Sequence, residues 1–294
     1  MTLTIGFIGF GEAGHAIAKG LAAQGLATRA YDILVHDDGA RDAMYQRATD
    51  AGTTMFDTLA EMIPPCDVIL SAVFTSNCLA AARNAAAHVR AGQIYADMNS
   101  VAPDVKRSAR DVIECRGATY VDAAVMAAVP PRKHRVPMLL AGAKAPELLA
   151  LMAPFEMEMD VLSREVGDAA AAKLFQSILI KGTEALLLEC LLAASRNGVE
   201  RHVLESMSRS TPGLDWVARA NYMLSRTARH GARRADEMDE AAATLEAMGI
   251  EPMATRGVAQ RLHWAAERTH SRRAADEMPG YTEVIAVLRA AETQ

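Results

Sequence analysis

The sequence predicts an amino-terminal α/β domain, doubly wound around a parallel sheet, followed by an all-helical carboxy-terminal domain. Up to about residue 165, short apolar strand candidates alternate with Ala-rich helical segments, as in successive βαβ units. Beyond that point only helical periodicity remains. The first domain is therefore expected to comprise residues 1–165 and the second residues 166–294.

The first strand candidate, Leu3–Ile8, leads into a glycine-rich turn that opens a helix. Gly9 permits a tight turn, Gly11 lets the backbone approach a pyrophosphate, and Gly14 lets helix and strand pack closely. This is the dinucleotide-binding fingerprint of a Rossmann domain, and a glycine turn kept for packing alone is the alternative. The expected cofactor-binding residues of the turn are Gly9, Phe10, Gly11, Glu12, Ala13 and Gly14.

A second strand, Ala27–Tyr31, ends in Asp32, where a carboxylate would bind the adenosine ribose. Because a carboxylate repels a 2′-phosphate, Asp32 favours NAD over NADP as the cofactor. The alternatives are binding by Asp37 or Asp38, a phosphate site built on Arg29 or Arg41, and a solvated acidic loop.

The remaining strands and the helix breaks follow from apolar runs and from Gly, Pro and Asn positions. The further strand candidates are Asp67–Phe74, Gln93–Asp97, Thr119–Ala123 and Met138–Gly142. The helical domain is expected to break at Asn197-Gly198, Thr211–Gly213, Gly249–Pro252 and Met278–Gly280, and Arg272-Arg273 is expected on a solvated helix face.

The composition is that of a soluble globular protein, with 294 residues, 51% hydrophobic residues, 23% charged residues and a net charge of −5. A mildly acidic chain lacks the basic surface that nucleic acid binding needs. No apolar run is long enough for a membrane span, and the first strand begins too early for a signal peptide, so we expect a cytoplasmic protein. The four cysteines have no metal-site spacing, and we expect reduced thiols and no metal.

Four ordered blocks of this sequence resemble the β-hydroxyacid dehydrogenase superfamily, which includes the 3-hydroxyisobutyrate, tartronate-semialdehyde and 6-phosphogluconate dehydrogenases. The blocks are Phe7–Gly14, Asp97–Pro103, Val121–Val125 and Gly167–Lys173, and the resemblance covers residues 3 to about 181. The helical domain resembles a divergent branch whose carboxy-terminal domain has no assigned function. The resemblance implies an NAD(P)-dependent oxidoreductase that acts on the hydroxyl or carbonyl of a small polar acid.

The resemblance also implies roles for individual residues. Lys173 matches the family's catalytic lysine, the general acid/base that exchanges a proton with the substrate hydroxyl, a role that partial burial of an amine favours. Gln176 and Ser177 replace the family's two asparagines one turn later and are expected to orient the substrate. Asn99 and Ser100 are expected to touch substrate and nicotinamide. The residues Val73 and Phe74 are expected to line the cofactor site.

The chain departs from the family where a serine normally binds the substrate carboxylate, because Met126 stands there and offers an apolar wall. The Arg132–Arg135 loop that follows is either an anion grip or a solvated loop. In the helical domain, His230 and Arg234 are expected near a substrate anion, with helix capping and local ion pairs as the alternatives.

Two other functions remain open from the sequence. An imine reductase would share the architecture, although such enzymes generally lack the lysine. A non-catalytic NAD(P)-sensing or partner-binding protein would keep the fold without hydride transfer. The expected small-molecule partner is an anionic substrate in the case of the dehydrogenase. A second copy of the chain is the other expected partner, and the two copies would form a dimer through their Ala-rich and Met-rich helices.

Overall fold

The computed structural model describes residues 3–269 and 280–292. The strands are β1 (Thr4–Ile8), β2 (Ala27–Tyr31), β3 (Thr54–Met55), β4 (Val68–Ser71), β5 (Ile94–Asp97), β6 (Thr119–Val125), β7 (Met138–Ala141) and β8 (Met159–Ser163). The helices are α1 (Glu12–Ala23), α2 (Arg41–Asp50), α3 (Leu59–Met62), α4 (Cys78–Ala86), α5 (Pro103–Glu114), α6 (Ala145–Met152), α7 (Asp168–Ser195), α8 (Glu200–Ser210), α9 (Trp216–Ala247), α10 (Met253–Arg268) and α11 (Tyr281–Glu292).

The strands form one sheet in the order β3-β2-β1-β4-β5-β6-β7-β8. Each pairing from β3 to β6 is parallel, β7 pairs antiparallel to β6, and β8 pairs parallel to β7. Apolar side chains cover both faces of the sheet. Phe7 packs in the buried cluster on one face, and Tyr95 and Tyr120 stack in the buried cluster on the other. Burial of both faces requires the continuous apolar strands that the sequence contains.

The predicted fold class, a Rossmann-type α/β domain followed by helices, is confirmed. Every predicted strand is present within a few residues of its expected ends, and helices end at the predicted breaks near Gly198, Gly213 and Gly249. The predicted break at Met278–Gly280 falls mostly, and Arg272-Arg273 wholly, outside the described residues. Strands β3 and β8 were not predicted, since β3 has two residues and β8 is largely exposed without a regular apolar alternation.

The chain divides into two compact units, residues 1–173 and residues 174–294. The division falls within α7, whereas the boundary predicted from the sequence lies between residues 165 and 166 and stays a prediction. The first unit contains the whole sheet, and the second has its own apolar core around Leu188, Leu224 and Leu262. In the described part of the chain, no helix combines the length and apolar composition that crossing a membrane needs.

Candidate active site

The glycine turn after β1 has the geometry that its motif predicts. Gly9 has φ +88°, and a Cβ there would lie 2.3 Å from the Ala72 carbonyl oxygen. A Cβ on Gly14 would lie 2.4 Å from the Gly9 carbonyl oxygen, whereas a Cβ on Gly11 would meet nothing within 4 Å. The outer glycines are therefore required by the packing of the protein itself, and the middle one faces open space. That space is where a pyrophosphate would approach the backbone.

Helix α1 begins directly after this turn. Gly11 is its N-cap residue and no side chain caps the first turn, so the helix presents backbone N–H groups and its positive dipole end. Phe10 is buried, Ala13 is half-buried and Glu12 is exposed. Backbone amides, an open glycine and a helix N-terminus fit a dinucleotide pyrophosphate.

Asp32 lies at the end of β2, and its carboxylate is held next to the glycine turn. It accepts hydrogen bonds from Phe10 N at 2.7 Å and Leu34 N at 3.0 Å. The two arginines considered as a phosphate site bind elsewhere: Arg29 donates to backbone carbonyls of α3, and Arg41 donates to Val35 O and Asp57. A third arginine, Arg47, donates to Phe10 O at 3.3 Å, so a carboxylate and a guanidinium both lie beside the turn.

Asp37 and Asp38 are both exposed in the loop after β2. Asp37 accepts a hydrogen bond from Gly39 N at 2.9 Å and so stabilises its own turn. Of the three acidic residues, Asp32 is thus the one that contacts the glycine turn.

Polar side chains lie in register across three adjacent strands, at the last residue of β4, at the last residue of β5 and in the middle of β6. Ser71 of β4 is opposite Asp97 of β5, which is opposite Asp122 of β6. Asn99 joins two of these strand ends, because its Nδ2 donates to Ser71 Oγ at 3.1 Å and to Asp97 Oδ1 at 2.7 Å. Its Oδ1 accepts from Val73 N at 2.7 Å. The predicted site residue Asn99 is therefore buried and fixes the two loops in which ligands collect in parallel sheets.

Two of the predicted site residues, Lys173 and Ser100, lie next to each other. Lys173 Nζ donates to Ser100 Oγ at 2.7 Å. Ser100 is exposed directly after Asn99, and Lys173 lies in the second turn of α7. The first turn of α7 is anchored to the sheet, since Ala170 N donates to Asp122 Oδ2 at 2.9 Å. A hydroxyl and an amine separated by 73 positions in sequence thus form one polar pair at the carboxyl edge of the sheet.

Three buried groups beneath this pair were not predicted. Lys106 of α5 contacts both Asp97 and Asp122, while Tyr120 Oη and Cys78 Sγ donate hydrogen bonds to Asp97. Burial, followed by the Asp97 charge, raises the pKa of Cys78 to about 12, so this thiol stays protonated. The sequence could have pointed to Asp97 and Asp122, because each is a charged residue in an otherwise apolar strand. No comparable signal existed for Lys106, since lysine is ordinary on an amphipathic helix.

The other residues predicted in the first unit line its surface. Phe74 is 82% exposed in the loop after β4, and Val73 is half-buried beside it. Met126 is half-buried, and its side chain packs on a small cluster formed by Ala124, Ala141 and Ala169. Met126 therefore presents an apolar surface next to the first turn of α7.

The remaining predicted residues belong to the second unit. Gln176 is exposed and Ser177 is half-buried, both in the turn of α7 that follows Lys173. Arg234 is buried and its guanidinium binds the buried Glu184, with Nε at 3.0 Å from Oε1. Burial and four neighbouring arginines lower the pKa of His230, so the imidazole is favoured in its neutral form. Substrate roles for these residues stay predictions.

The basic loop after β6 is held against the protein through one of its four cationic residues. His134 is buried, and neither ring nitrogen has a hydrogen-bond partner among the described residues. The ring lies against Gly20 of α1, where a Cβ would be 2.0 Å from Nδ1. Arg132, Lys133 and Arg135 are exposed, and Arg135 pairs with Glu156. Both anion binding and solvation remain open for the exposed cations, but His134 serves packing.

The sequence comparisons agree with this geometry. Residues 4–155 match the NAD binding domain of 6-phosphogluconate dehydrogenase, more than half of the chain. The chain belongs to the β-hydroxyacid dehydrogenase superfamily. Residues 194–265 match a family described as a domain of unknown function, DUF1932. The superfamily assignment predicted from the four sequence blocks is therefore confirmed, and the protein is an NAD(P)-binding, hydroxyacid dehydrogenase-like oxidoreductase.

Relatives of this superfamily resemble the chain over most of its length. A conserved hypothetical protein from Sinorhizobium meliloti 1021 is 38% identical, with a TM-score of 0.81 over 99% of this chain and 97% of that one. The protein MTH1747, described as structurally similar to 3-hydroxyacid dehydrogenases, is 32% identical, with a TM-score of 0.75 over 93% and 100%. The mitochondrial 3-hydroxyisobutyrate dehydrogenase of Drosophila melanogaster is 23% identical over 73% of this chain and 65% of its own length.

Proposed function

We propose that this protein transfers a hydride between a nicotinamide dinucleotide and the hydroxyl or carbonyl carbon of a small polar acid, with Lys173 as the general acid/base. The observation that carries the proposal is the 2.7 Å contact between Lys173 Nζ and Ser100 Oγ at the carboxyl edge of the sheet. The glycine turn after β1, which fits the dinucleotide, opens at the same edge of the same sheet.

The bound nicotinamide would supply the hydride acceptor for oxidation and the hydride donor for reduction. In the oxidation direction, Lys173 Nζ as the neutral amine accepts the proton of the substrate hydroxyl while the C–H bond breaks and the carbonyl forms. In the reduction direction, the ammonium of Lys173 returns that proton to the developing alkoxide. Ser100 Oγ orients the lysine and offers the substrate a second polar contact.

The apolar surface of Met126 narrows the class of substrate. A thioether accepts only weak hydrogen bonds, so this position does not bind a carboxylate as a serine hydroxyl would. We therefore expect a substrate with an apolar group near its reacting carbon and an acidic group bound elsewhere. The preferred cofactor is NAD, because the Asp32 carboxylate lies beside the turn, and Arg29 and Arg41, the two arginines considered as a phosphate site, are bound to other protein groups.

The experiment that tests the proposal compares the wild-type protein with Lys173→Ala and with Lys144→Ala as a matched surface control. NADH and NADPH binding is titrated by fluorescence, and a panel of hydroxy acids is followed through the absorbance of the reduced nicotinamide. We expect Lys173→Ala to lower kcat by about 10²- to 10⁴-fold while the Kd for NADH stays unchanged.

Three results would contradict the proposal. Turnover that survives in Lys173→Ala would remove the lysine from the mechanism, and activity on a cyclic imine in that variant would support an imine reductase. Cofactor binding without turnover of any acid on the panel would favour a sensor. Absence of cofactor binding would contradict the role of the glycine turn itself.

We also propose that the protein forms a homodimer through an apolar groove in the second unit. The groove encloses about 710 Å³. Side chains of α7, α9, α10 and the turn between α9 and α10 line it, including Phe175, Leu179, Leu186, Met248 and Ile250. Leu179 is 75% exposed and Leu186 is 68% exposed, which favours their burial against a second protein surface. The cytoplasmic location stays a prediction.

A further inference from the structure

Lys106 is a buried lysine between two buried carboxylates. Its Nζ donates to the Asp97 carbonyl oxygen at 2.7 Å and lies 3.1 Å from Asp97 Oδ1 and 3.2 Å from Asp122 Oδ1. The side chains of all three residues are at most 1% exposed. Burying three charges carries a large desolvation cost, which replacement by apolar residues would avoid. The presence of this trio is therefore better explained by what its carboxylates hold than by stability alone.

Asp97 holds the segment that leads to Ser100. Its Oδ1 accepts from Asn99 N at 2.8 Å and from Asn99 Nδ2 at 2.7 Å. Asn99 in turn accepts from Val73 N, so its side chain is fixed at both ends. Ser100 is the next residue, and its backbone follows the conformation of Asn99.

Asp122 holds the helix that carries Lys173. Its Oδ2 accepts from Ala170 N at 2.9 Å, in the first turn of α7. Lys173 lies three positions later, so a shift of this turn moves the lysine as well. The two carboxylates of the trio thus hold the two partners of the Ser100–Lys173 pair, and Lys106 joins one carboxylate to the other.

The two carboxylates depend on Lys106 to different degrees. Asp97 Oδ2 also receives hydrogen bonds from Tyr120 Oη and Cys78 Sγ. Asp122 Oδ1 accepts no hydrogen bond from any described residue, and the Lys106 ammonium is its close charged neighbour. Burial lowers the pKa of Lys106, but Asp97 and then Asp122 raise it by more, so the net shift is upward and the lysine stays charged.

We propose that Lys106 is a positioning residue, which sets the distance between Ser100 Oγ and Lys173 Nζ by balancing the charges of Asp97 and Asp122. Without its ammonium, two carboxylates in adjacent register would face each other in a buried site, and like charges there cannot both stay in place. Asp122 would move or take up a proton, and the first turn of α7 would lose its anchor. The catalytic consequence rests on the proposed dehydrogenase function, whereas the geometric consequence does not.

The first experiment measures the position of Lys173 without a substrate. Full-length wild type, Lys106→Met and the surface control Lys144→Met are labelled with trace acetic anhydride across a range of pH, and each lysine is quantified by mass spectrometry. Lys19 is the internal reference. We expect the labelling rate of Lys173 to rise about fivefold in Lys106→Met, the factor that loss of one ordinary hydrogen bond represents. The rate for Lys173 should be unchanged in Lys144→Met.

The second measurement is kinetic. With any substrate that the wild type turns over, we expect kcat of Lys106→Met to fall about 10²-fold, as for a reacting group displaced by about 1 Å. The Kd for NADH should change much less than kcat, because the glycine turn is held by Asp32 and because Asp97, which fixes Asn99, keeps its hydrogen bonds from Tyr120 and Cys78. A purely structural role would lower the melting temperature but leave the labelling of Lys173 and kcat unchanged in the folded protein, and that result would overturn the proposal.

A paired variant keeps the test decisive if Lys106→Met does not fold. Lys106→Met/Asp122→Asn removes one carboxylate charge together with the ammonium, and the Asn oxygen can still accept from Ala170 N. We expect this variant to fold and to return Lys173 to its wild-type labelling rate. A failure to fold, or a Lys173 labelling rate displaced as far as in Lys106→Met, would overturn the charge-balance argument. A wild type without turnover would refute the proposed function. The labelling experiment needs no substrate, so its result would still test the role of Lys106.

Discussion

At the scale of single residues, Asp32 combines two roles in one carboxylate. It accepts hydrogen bonds from Phe10 N in the glycine turn and from Leu34 N in the loop after β2. In the proposed NAD site, the same negative charge would disfavour a 2′-phosphate at the adenosine ribose. Under that proposal, structure and cofactor choice are coupled at this residue.

Replacing Asp32 by Asn separates the charge from the hydrogen bonding. The Asn oxygen can still accept from a backbone N–H, but the charge that would repel a 2′-phosphate is gone. We expect the ratio of NADPH affinity to NADH affinity to rise by about tenfold, measured by fluorescence titration. Asp37→Asn is the matched control, since Asp37 serves only its own turn with Gly39 among the described contacts. An equal shift in both variants would contradict this account.

The sequence pointed to single residues where a backbone requirement or a motif identified them, and their roles at the site stay predictions. Gly9 and Gly14 are required by close backbone contacts, and Lys173 could be placed because its motif fixes its position on α7. Lys106 could not be predicted, because the sequence does not reveal that this face of α5 turns toward two aspartates, Asp97 in β5 and Asp122 in β6. His134 could not be told from its three exposed cationic neighbours, because its burial depends on a distant glycine, Gly20.

At the scale of elements, the loop between β6 and β7 is held on α1 through the contact of His134 with Gly20. Gly20 lies inside α1, where alanine would ordinarily be the better helix former. The imidazole occupies the space that a side chain at this position would need. Glycine is therefore required at this position by a contact between α1 and a loop that is far from it in the sequence.

Gly20→Ala should destabilise the protein by about 1–3 kcal/mol, because the new methyl group overlaps the His134 ring. In a His134→Ala background the same substitution should stabilise by about 0.5–1 kcal/mol, the helix preference of alanine over glycine. Urea unfolding of the full-length variants measures both values. Equal effects of Gly20→Ala in the two backgrounds would exclude the contact.

The same histidine makes stability depend on pH. Burial, followed by Arg135, lowers the pKa of His134, with Glu156 opposing and Lys133 adding to the shift. The folded state therefore binds the proton less readily than the unfolded state, whose histidine pKa is about 6.5. The contribution to the free energy of unfolding is complete above about pH 6.5 and is lost as the pH falls through the lowered pKa.

We expect the free energy of unfolding to fall more steeply below pH 6.5 in the wild type than in His134→Leu, by up to about 1.4 kcal/mol per pH unit. Urea titrations between pH 8 and pH 5 measure the slope. The exposed His202 of α8 supplies the control variant His202→Leu, which should keep the wild-type slope. Parallel curves for His134→Leu and the wild type would show that this histidine is not linked to folding.

At the scale of the whole molecule, the apolar groove of the second unit predicts its state of association. Leu179→Asp introduces a charge at a side chain that is 75% exposed in the single chain and should be covered in a dimer. Light scattering should give twice 31.5 kDa for the wild type and one chain mass for the variant. Leu214→Asp is the control, because Leu214 is exposed outside the groove. A monomeric wild type at micromolar concentration would refute the dimer.

The overall architecture was predictable because its pattern is repeated along the chain. Each apolar strand and each helix break adds an independent indication, and the breaks near Gly198, Gly213 and Gly249 all separate observed helices. The substrate-facing chemistry was less predictable, since it depends on single contacts. Arg234 illustrates this limit: its cluster suggested an anion site, but the partner found in the structure is Glu184.

The rate at which a thiol reagent modifies the buried Cys78 reports how often the structure around this residue opens. Because burial raises the pKa of Cys78 to about 12, the thiol stays protonated at pH 7, and the sulfur is buried against Asp97. A thiol reagent can therefore modify Cys78 only when the end of β5 opens, whereas the exposed Cys115 reacts from the closed state. The modification rate of Cys78 relative to Cys115 counts those openings under native conditions.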